Sequence, residues 1–496
     1  MATYYITTSI PYVNATPHLG FALELVQADA FARHHRLRGD DVRFVTGTDE
    51  NSLTNVLAAE QAGVPVGELV DKNAEVFRAL GATLGASNDD FIRTARDERH
   101  RLAVERLWRA CDRAGDLYKK DYRGLYCVRC ERFYAGDELV DGLCPVHGIV
   151  PEFVEEENYF FRLSRYADRL LELYERGALR VIPAFRQDET LAFLRRGLED
   201  ISVSRGQARA RGWGIPVPDD PSQVVYVWFD ALVNYISALG YGTDDPLYRR
   251  YWLENPRRVH VIGKDIVRFH AVYWPAMLLA AGEPPPTTIF VHGFLTNEGQ
   301  RMSKTLGTGV DPTELVADWG TDAVRYWLLR EVPPTGDADY SAARLVATYN
   351  ADLADDLGNL LSRVVSMVRR YRDGIVPSSS SAVLDSAAVF EQASAALDAY
   401  DPRAALAAIW SLVAAANRHV DAEQPWALAK AERAGDSGAR DRLDGVLGGL
   451  CGALSAIAEE LRPLLPETAA RIEARLAGTE ARALFPKSDA TSRRTG

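Results

Sequence analysis

Hydrophobic and β-branched positions near the start of the chain follow a strand–loop–helix–strand order. Residues 4–10 are rich in aromatic and β-branched side chains and predict a buried strand. A loop containing Pro and Asn follows, then a helix expected over 21–35 and a second strand over 42–46. This alternation predicts a parallel sheet with ligand-binding loops beyond the carboxyl ends of its strands.

The pattern is interrupted and then returns. Residues 116–225 contain several turns, many aromatic residues and three of the five cysteines, so we interpret them as an insertion. Strand patterns follow at 224–228, 259–263 and 288–291. We therefore expect an α/β fold with a Rossmann-type parallel sheet that is split by a connective insertion.

The expected domains follow from this reading. The two halves of the parallel-sheet domain occupy 1–115 and 226–340, on either side of the insertion. Residues 341–487 are rich in Ala and Leu at helical spacing, which predicts an all-α bundle. The polar residues 488–496 are expected to form a disordered tail.

Composition narrows the class of protein. The 496 residues exceed what one hydrophobic core organises, and 47% hydrophobic with 25% charged residues is ordinary for a globular protein. No apolar run has the length of a membrane span, and the first residues lack the pattern of a secretory signal, so a cytoplasmic location is expected. The net charge of −12 argues against general nucleic-acid binding, although local basic patches could still attract a specific nucleic acid.

A cluster of three cysteines and one histidine has the spacing of a metal site. Cys127 and Cys130 are separated by two residues, 13 residues follow, and Cys144 and His147 are again separated by two. This double knuckle predicts a Zn²⁺ site, and four protein ligands would leave no open position, so the zinc would be structural. The other two cysteines, Cys111 and Cys451, lie in helical apolar patterns and are expected in the core.

Two short strings suggest nucleotide chemistry. In Pro17-His18-Leu19-Gly20 a histidine opens a helix, where backbone N–H groups favour phosphate and a glycine permits close approach. In Arg301-Met302-Ser303-Lys304-Thr305 the lysine is a mobile charge that suits a departing pyrophosphate. Each string alone is explained as well by a helix cap or by an exposed basic loop.

Together, and in this order, the strings resemble the two ATP signatures of class I aminoacyl-tRNA synthetases. From residue 4 to about 487 the chain resembles bacterial methionyl-tRNA synthetases, in the subgroup with a single zinc knuckle. The further matching strings are Ser9-Ile10-Pro11-Tyr12-Val13-Asn14, Thr46-Gly47-Thr48-Asp49-Glu50, Tyr226-Val227-Trp228-Phe229-Asp230-Ala231, Ile262-Gly263-Lys264-Asp265-Ile266, Phe269-His270 and Tyr273-Trp274-Pro275.

The resemblance implies a ligase that uses ATP and Mg²⁺ to activate L-methionine and then charges tRNA(Met), which has a CAU anticodon. It implies that Asp49 holds the substrate ammonium group and that aromatic walls contact the polarisable thioether. The implied methionine wall is Ile10, Tyr12, Trp228, Ala231, Tyr235, Ile266, His270 and Trp274. The implied catalytic residues are His18, Asp49, Arg301 and Lys304, and the implied ATP contacts are His18, Gly20, Phe21, Gly263, Asp265 and Lys304.

Spacing is compatible with this pocket. Trp228, Ala231 and Tyr235 are spaced to share one helical face, and a second helix could carry Ile266 and Trp274 with His270 between them. Without the surrounding motifs, the same spacing would indicate two helices that bury aromatic residues in a core.

In the helical region the resemblance assigns anticodon recognition to four residues. Asn359 and Arg363 are one helical turn apart, and Pro425-Trp426 lies at an expected helix junction. An exposed tryptophan can stack on an unpaired base. The alternative for Trp426 is a core position, and the residues alone leave that choice open.

Three departures from the family pattern lie at the nucleotide end. Phe21 replaces a His that donates to phosphate, Asn51-Ser52 replaces His-Gly, and Arg301 replaces Lys. An altered reaction rate or an altered sensitivity to inhibitors is therefore expected.

Three alternative functions remain open: a paralogue with a non-tRNA acceptor, an inhibitor-resistant second copy, and a non-enzymatic tRNA-binding protein. The chain ends without an appended oligonucleotide-binding domain, so a monomer is expected.

Overall fold

The computed structural model describes residues 2–128, 132–134, 136–145, 148–302, 308–378 and 386–488. The chain divides into two compact units. The first comprises Met1–Pro17, Gly39–Ala82 and Ser87–His292, and the second comprises His18–Arg38, Thr83–Ala86 and Gly293–Gly496.

A six-stranded parallel sheet organises the first unit, as the sequence predicts. Its central strands are buried along nearly their whole length, which explains their continuous runs of β-branched and aromatic residues. In spatial order the strands are Asp90–Arg93, Asp41–Thr48, Thr3–Thr8, Arg258–Gly263, Thr288–His292 and Arg180–Ile182.

Two segments differ from the expectation. The strand Asp220–Val225 does not resume the parallel sheet, since it pairs antiparallel with Ser204–Gly206, and the helix Val227–Leu232 starts just after it. Conversely, Arg180–Ile182 lies within the range assigned to the insertion and pairs with the strand Thr288–His292. Short apolar runs suit a strand or a buried helix equally well, which is why the pattern at 224–228 misled.

The other elements of the first unit flank this sheet. A four-stranded antiparallel sheet contains Arg132–Tyr134, Leu117–Cys127, Glu152–Phe161 and Ile201–Ser202, and Pro216–Val217 completes a small sheet with Asp220–Val225. The α-helices are Leu53–Ala62, Val66–Thr83, Glu98–Arg113, Ala167–Glu175, Ala184–Arg195, Val227–Leu232, Asn234–Ser237, Pro246–Tyr248 and Trp274–Ala281. Short 3₁₀ segments are Gly136–Glu138, Leu163–Tyr166 and Lys264–Ile266, and π-helical segments are Arg249–Leu253 and Phe269–Tyr273.

The second unit is mainly helical, as predicted. It contains a three-stranded sheet of Gln300–Arg301, Leu295–Asn297 and Ala338–Tyr340. Its helices are Leu19–Leu37, Pro312–Trp319, Thr321–Arg330, Ala342–Thr348, the π-helical Tyr349–Gly358, Asn359–Arg372, Ser386–Asp398, Pro402–Glu423, Pro425–Arg433, Ser437–Leu461 and Pro466–Leu476. None of the helices in the described part of the chain is long and apolar enough to cross a bilayer.

Local signals set the helix ends of this bundle. Asp401 caps the helix Pro402–Glu423 by accepting from the Ala404 N–H at 2.8 Å, and Pro402 occupies the first turn, where its missing N–H costs nothing.

Ser488, expected to start the tail, instead exchanges hydrogen bonds with the side-chain amide of Asn350. Residues 489–496 lie outside the described residues.

A buried ion pair fixes the helix Leu19–Leu37 within the second unit. Arg325 Nη2 lies 2.8 Å from Asp29 Oδ2, and both side chains are fully buried. Arg325 also donates to the carbonyls of Leu464 at 2.9 Å and Leu84 at 3.1 Å. A buried charge needs such additional partners to offset its desolvation. This helix begins beside His18, so the first signature is part of a rigidly packed element.

Candidate functional site

The loop that carries Asp49 is fixed by its own backbone at the carboxyl end of the strand Asp41–Thr48. The Asp49 N–H donates to the Pro11 carbonyl at 2.8 Å, which pairs the loop with Tyr12 of the neighbouring loop. The Asn55 amide donates to the Asp49 carbonyl at 3.0 Å. Asp49 is 2% exposed, so the structure holds a buried carboxylate where ligands bind in folds of this type.

The negative charge of the neighbouring acid, Glu50, is balanced by an ion pair with an arginine. Arg93 Nε lies 2.6 Å from Glu50 Oε1, which also accepts from the Thr48 hydroxyl at 2.8 Å. Arg93 in turn contacts Asp71 at 2.6 Å. The two adjacent carboxylates therefore differ in role, because Glu50 is built into an ion-pair network within the sheet.

Aromatic side chains from three segments of the first unit form a wall. The rings of Trp228 and Phe269 stack with centroids 3.7 Å apart and planes 7° apart, and Tyr12 lies 6.5 Å from Trp228. Ile10 is half-buried and Ala231 is buried. Of the sequence-predicted residues, the structure thus brings Tyr12 and Trp228 together within the first unit.

Tyr235 and His270 form the polar end of this wall. The Tyr235 Oη lies 2.6 Å from His270 Nε2, and His270 Nδ1 lies 2.9 Å from the Ile266 carbonyl. Since a carbonyl only accepts, Nδ1 carries the proton, and Tyr235 donates to Nε2 of the neutral ring. Trp274 lies 6.1 Å from Tyr235.

The expected helical faces are built differently from the prediction. Trp228 and Ala231 lie on one short helix, whereas Tyr235 lies on the next, Asn234–Ser237. Ile266 ends a 3₁₀ turn, and His270 lies in the π-helix Phe269–Tyr273. A π-turn widens the helix and is frequent at functional sites.

Sequence reasoning missed the layer beneath the wall. His260 Nδ1 lies 2.8 Å from the Thr7 hydroxyl, and the His260 ring stacks on Tyr235 with centroids 4.0 Å apart. The Tyr5 hydroxyl donates to the Tyr235 carbonyl at 2.6 Å. Burial, reinforced by His270 and Arg258, holds the His260 pKa well below its ordinary value of 6.5. The one sequence signal for this layer is His260 itself, a histidine within an otherwise apolar strand.

Gly263 and Asp265 follow another central strand. Gly263 precedes the 3₁₀ turn Lys264–Ile266, and a side-chain carbon at Gly263 would lie 3.0 Å from Asp265 Oδ1. A larger residue there would therefore displace the carboxylate. Both residues lie in the first unit, beyond the carboxyl end of the strand Arg258–Gly263.

His18 caps the first helix of the second unit. Its Nδ1 accepts from the Gly20 N–H at 3.0 Å, and a side-chain carbon at Gly20 would lie 2.8 Å from His18 Cε1, so the glycine makes room for the imidazole. In a neutral ring this leaves the proton on Nε2. Phe21, in the same turn, is 9% exposed.

The second signature is only partly described. The backbone of Arg301 pairs with Thr296 in a short antiparallel hairpin, and Met302 is buried. Lys304 lies outside the described residues, so its predicted role stays a prediction.

Half of the predicted metal site can be located. Cys127 ends a strand and Cys144 lies in a turn, and both are buried in a small cluster with Tyr134, whose hydroxyl is 3.5 Å from Cys144 Sγ. The Gly148 N–H donates to the Cys144 carbonyl at 2.8 Å. Cys130 and His147 lie outside the described residues, and no group of three potential ligands occurs among the residues that are described.

The predicted anticodon residues lie on the helical bundle. Asn359 is exposed at the start of its helix, and Arg363 forms an ion pair with Asp421 at 2.8 Å. Pro425 is buried in the first turn of the helix that begins just after Asp421, and Trp426 is 45% exposed. The structure therefore places Trp426 at the surface rather than in the core.

Comparison with known proteins gives one consistent result. The family model described as tRNA synthetases class I (M) matches residues 4–150 and 137–365. The methionine–tRNA ligase of Brucella suis biovar 1 is 45% identical over 480 residues, covering 95% of this chain and 90% of the relative. That of Mycobacterium bovis is 44% identical over 484 residues, covering 95% and 91%.

A solved structure agrees. The methionyl-tRNA synthetase of Mycobacterium tuberculosis in complex with methionyl-adenylate superposes with a TM-score of 0.91 at 41% identity, covering 98% of this chain and 100% of that chain. The identity, the coverage and the fold all agree: this chain belongs to the methionine–tRNA ligases of the class I aminoacyl-tRNA synthetase family.

Proposed function

We propose that the protein activates L-methionine with ATP and transfers the methionyl group to tRNA(Met). The observation that carries this proposal is the buried Asp49 carboxylate on a loop paired with Tyr12, whose ring approaches Trp228 of the aromatic wall. A single buried charge suits an ammonium group, and aromatic faces with one polar end suit a thioether chain.

In the first reaction the methionine carboxylate attacks the α-phosphorus of ATP. A carboxylate–phosphorus bond forms, the bond to the bridging oxygen breaks, and pyrophosphate leaves with that electron pair. Asp49 would hold the ammonium group, and the wall of Tyr12, Trp228 and Tyr235 would orient the side chain. No protein nucleophile is needed, because positioning and charge neutralisation lower the barrier.

The phosphates of ATP would be bound by N–H donors and by positively charged side chains. His18 Nε2–H would donate to a phosphate oxygen. Lys304 and Arg301 would neutralise the leaving pyrophosphate together with Mg²⁺. Gly263 and Asp265 remain proposed ATP contacts.

In the second reaction a ribose hydroxyl at the tRNA 3′ end attacks the activated carbonyl, and AMP leaves. Trp426 would stack on an anticodon base, while Arg363 and Asn359 would bind neighbouring groups.

A structural Zn²⁺ would be held by Cys127, Cys130, Cys144 and His147, and it would crosslink the two knuckles. A monomeric state and a cytoplasmic location complete the proposal.

Two assays on one preparation test the function. We expect methionine-dependent exchange of pyrophosphate into ATP, together with charging of a tRNA that has a CAU anticodon. Exchange without charging would identify another acceptor. Absence of exchange with methionine would contradict the proposal.

A further inference from the structure

Asn51, one of the departures from the family pattern, makes a defined buried contact. Its Nδ2 lies 2.7 Å from Asp230 Oδ2 and 3.4 Å from the Thr94 carbonyl. Asp230 is fully buried in the helix Val227–Leu232. An amide N–H donating to a buried carboxylate is a charge-assisted hydrogen bond, which is stronger than a neutral one.

The second oxygen of Asp230 is also engaged. His100 Nε2 lies 2.6 Å from Asp230 Oδ1, and His100 Nδ1 lies 2.9 Å from the Ser237 hydroxyl. All these side chains except Asn51 are fully buried, and Asn51 is half-buried. Because a carboxylate only accepts, both Asn51 and His100 donate to Asp230.

This set of four residues, Asn51, His100, Asp230 and Ser237, connects the parts of the methionine pocket. Asn51 follows Asp49 by two positions, and Asp230 lies between Trp228 and Ala231 on its helix. Ser237 belongs to the short helix that carries Tyr235. The hydrogen bonds therefore join the loop that would hold the ammonium group to both helices that would contact the side chain.

We propose that Asn51 is a positioning residue for methionine: its amide, through Asp230, sets the distance between Asp49 and the Trp228 helix. This inference rests on the proposed function. It assigns Asn51 a role in amino-acid recognition rather than at the nucleotide, although the sequence had placed this departure at the adenylate end.

Substitution with a carboxylate separates positioning from a direct charge effect. Asn51→Asp has nearly the same shape but sets a second negative charge against Asp230. If residue 51 acted directly on the substrate, the added charge would attract the ammonium group and lower the KM for methionine. If it acts by positioning, repulsion between the introduced carboxylate and Asp230 would open the pocket and raise that KM.

The experiment is steady-state pyrophosphate exchange with methionine and ATP varied separately. We expect Asn51→Ala to raise the KM for methionine about 10-fold and Asn51→Asp to raise it by about 10- to 100-fold, the range for a lost hydrogen bond to a charged group. The KM for ATP and kcat should stay within about threefold, since the amide does not contact the reacting atoms.

Asn51→His provides the rescue. Asn51 lines an open cavity of about 730 Å³ together with Thr94 and Trp213, so an imidazole has space and can still donate to Asp230. We expect the KM for methionine in this variant to lie within about threefold of the unsubstituted enzyme. Asn88→Asp is the matched control, because Asn88 donates to the Asp90 carbonyl at 3.2 Å in the same unit. It should leave both KM values unchanged.

Each outcome decides the proposal. A lower KM for methionine in Asn51→Asp, or no change in either variant, would overturn it. So would parallel losses in both KM values and kcat that track a lower melting temperature, since these indicate a general structural role. If Asn51→Asp does not fold, Asn51→Ala and Asn51→His decide alone. Failure of the unsubstituted enzyme to show methionine-dependent exchange would refute the proposed function instead.

Discussion

The proposed methionine pocket and the proposed anticodon face are built in opposite ways. In the pocket, Asp49 is 2% exposed, and layers of buried hydrogen bonds lie behind the wall that Tyr235 helps to form. On the helical bundle, Trp426 is 45% exposed and Arg363 is held by one ion pair at the surface. The proposed pocket is a buried and hydrogen-bonded region, whereas the proposed anticodon face presents exposed groups.

This difference has a consequence for mutation. Buried polar groups that lose a partner carry a large cost, whereas isolated surface ion pairs contribute little to stability. Substitutions in the pocket should therefore impair activation and charging together. Substitutions on the anticodon face should impair charging alone and leave the fold intact.

The largest effect is expected at Asp49. Asp49→Asn keeps the size of the side chain but removes the charge that would pair with the ammonium group. We expect kcat/KM for methionine-dependent exchange to fall by about 10²- to 10³-fold, the cost of breaking a buried charge pair. Asp244→Asn, at an exposed position of the same unit, is the control. A fall equal to that of the control would contradict the assignment of Asp49.

A smaller, selective effect is expected at Trp426. Trp426→Ala should lower the kcat/KM for charging by about 10- to 100-fold, since stacking on one base is worth about 1–3 kcal/mol. Exchange should be unchanged. Phe390→Ala removes a comparably exposed aromatic residue, 46% exposed, from another helix of the bundle and should leave both assays unchanged. Loss of exchange in Trp426→Ala would contradict the proposed separation between the methionine pocket and the anticodon face.

Phe21 tests the nucleotide end. Phe21→His adds an N–H donor near the cap formed by His18, and we expect exchange to become about tenfold faster, because one preorganised donor contributes strongly in the transition state. Phe21→Leu, which adds no donor, controls for the change in packing. Unchanged or slower exchange in Phe21→His would contradict the hypothesis that Phe21 limits the rate of exchange.

The smallest expected effect is a change in how the free energy of unfolding depends on pH. His260 is buried with a lowered pKa, so the unfolded chain binds a proton below pH 6.5 that the folded protein does not. Stability is therefore retained above pH 6.5 and lost as the pH falls below it, by up to about 1.4 kcal/mol per pH unit. His260→Asn should flatten the dependence of the unfolding free energy on pH between 6.5 and about 5. An unaltered slope would show that other groups cause it.

The sequence predicted the parts of the fold that depend on local pattern. The short runs Val259–Ile262 and Thr288–Val291 are rich in β-branched residues, and both lie in strands of the central sheet. The edge strand Arg180–Ile182 has three residues and one of them is charged, so no periodicity could reveal it. The π-helix at Phe269–Tyr273 was equally hidden, because its residues keep ordinary helical composition.

The site shows the same division. Matching motifs predict the pocket wall, which stays a prediction. Nothing local indicates that Asn51 meets Asp230 or that Thr7 meets His260, since these partners are 179 and 253 residues apart in the chain. Thr7 meets His260 because their strands pair in the parallel sheet, and Asn51 meets Asp230 because the fold places the helix Val227–Leu232 beside the loop after Asp41–Thr48. The departure at Asn51 therefore became interpretable only with its partner in view.

The most direct measurement is to identify the adenylate that the enzyme makes. The protein is incubated with ATP, Mg²⁺ and an equimolar mixture of the twenty amino acids, and the bound product is released by acid and identified by mass spectrometry. A pocket built around Asp49 and the Trp228 wall should yield methionyl-adenylate alone. Recovery of a different aminoacyl-adenylate, or of none, would contradict the assignment of the pocket to methionine.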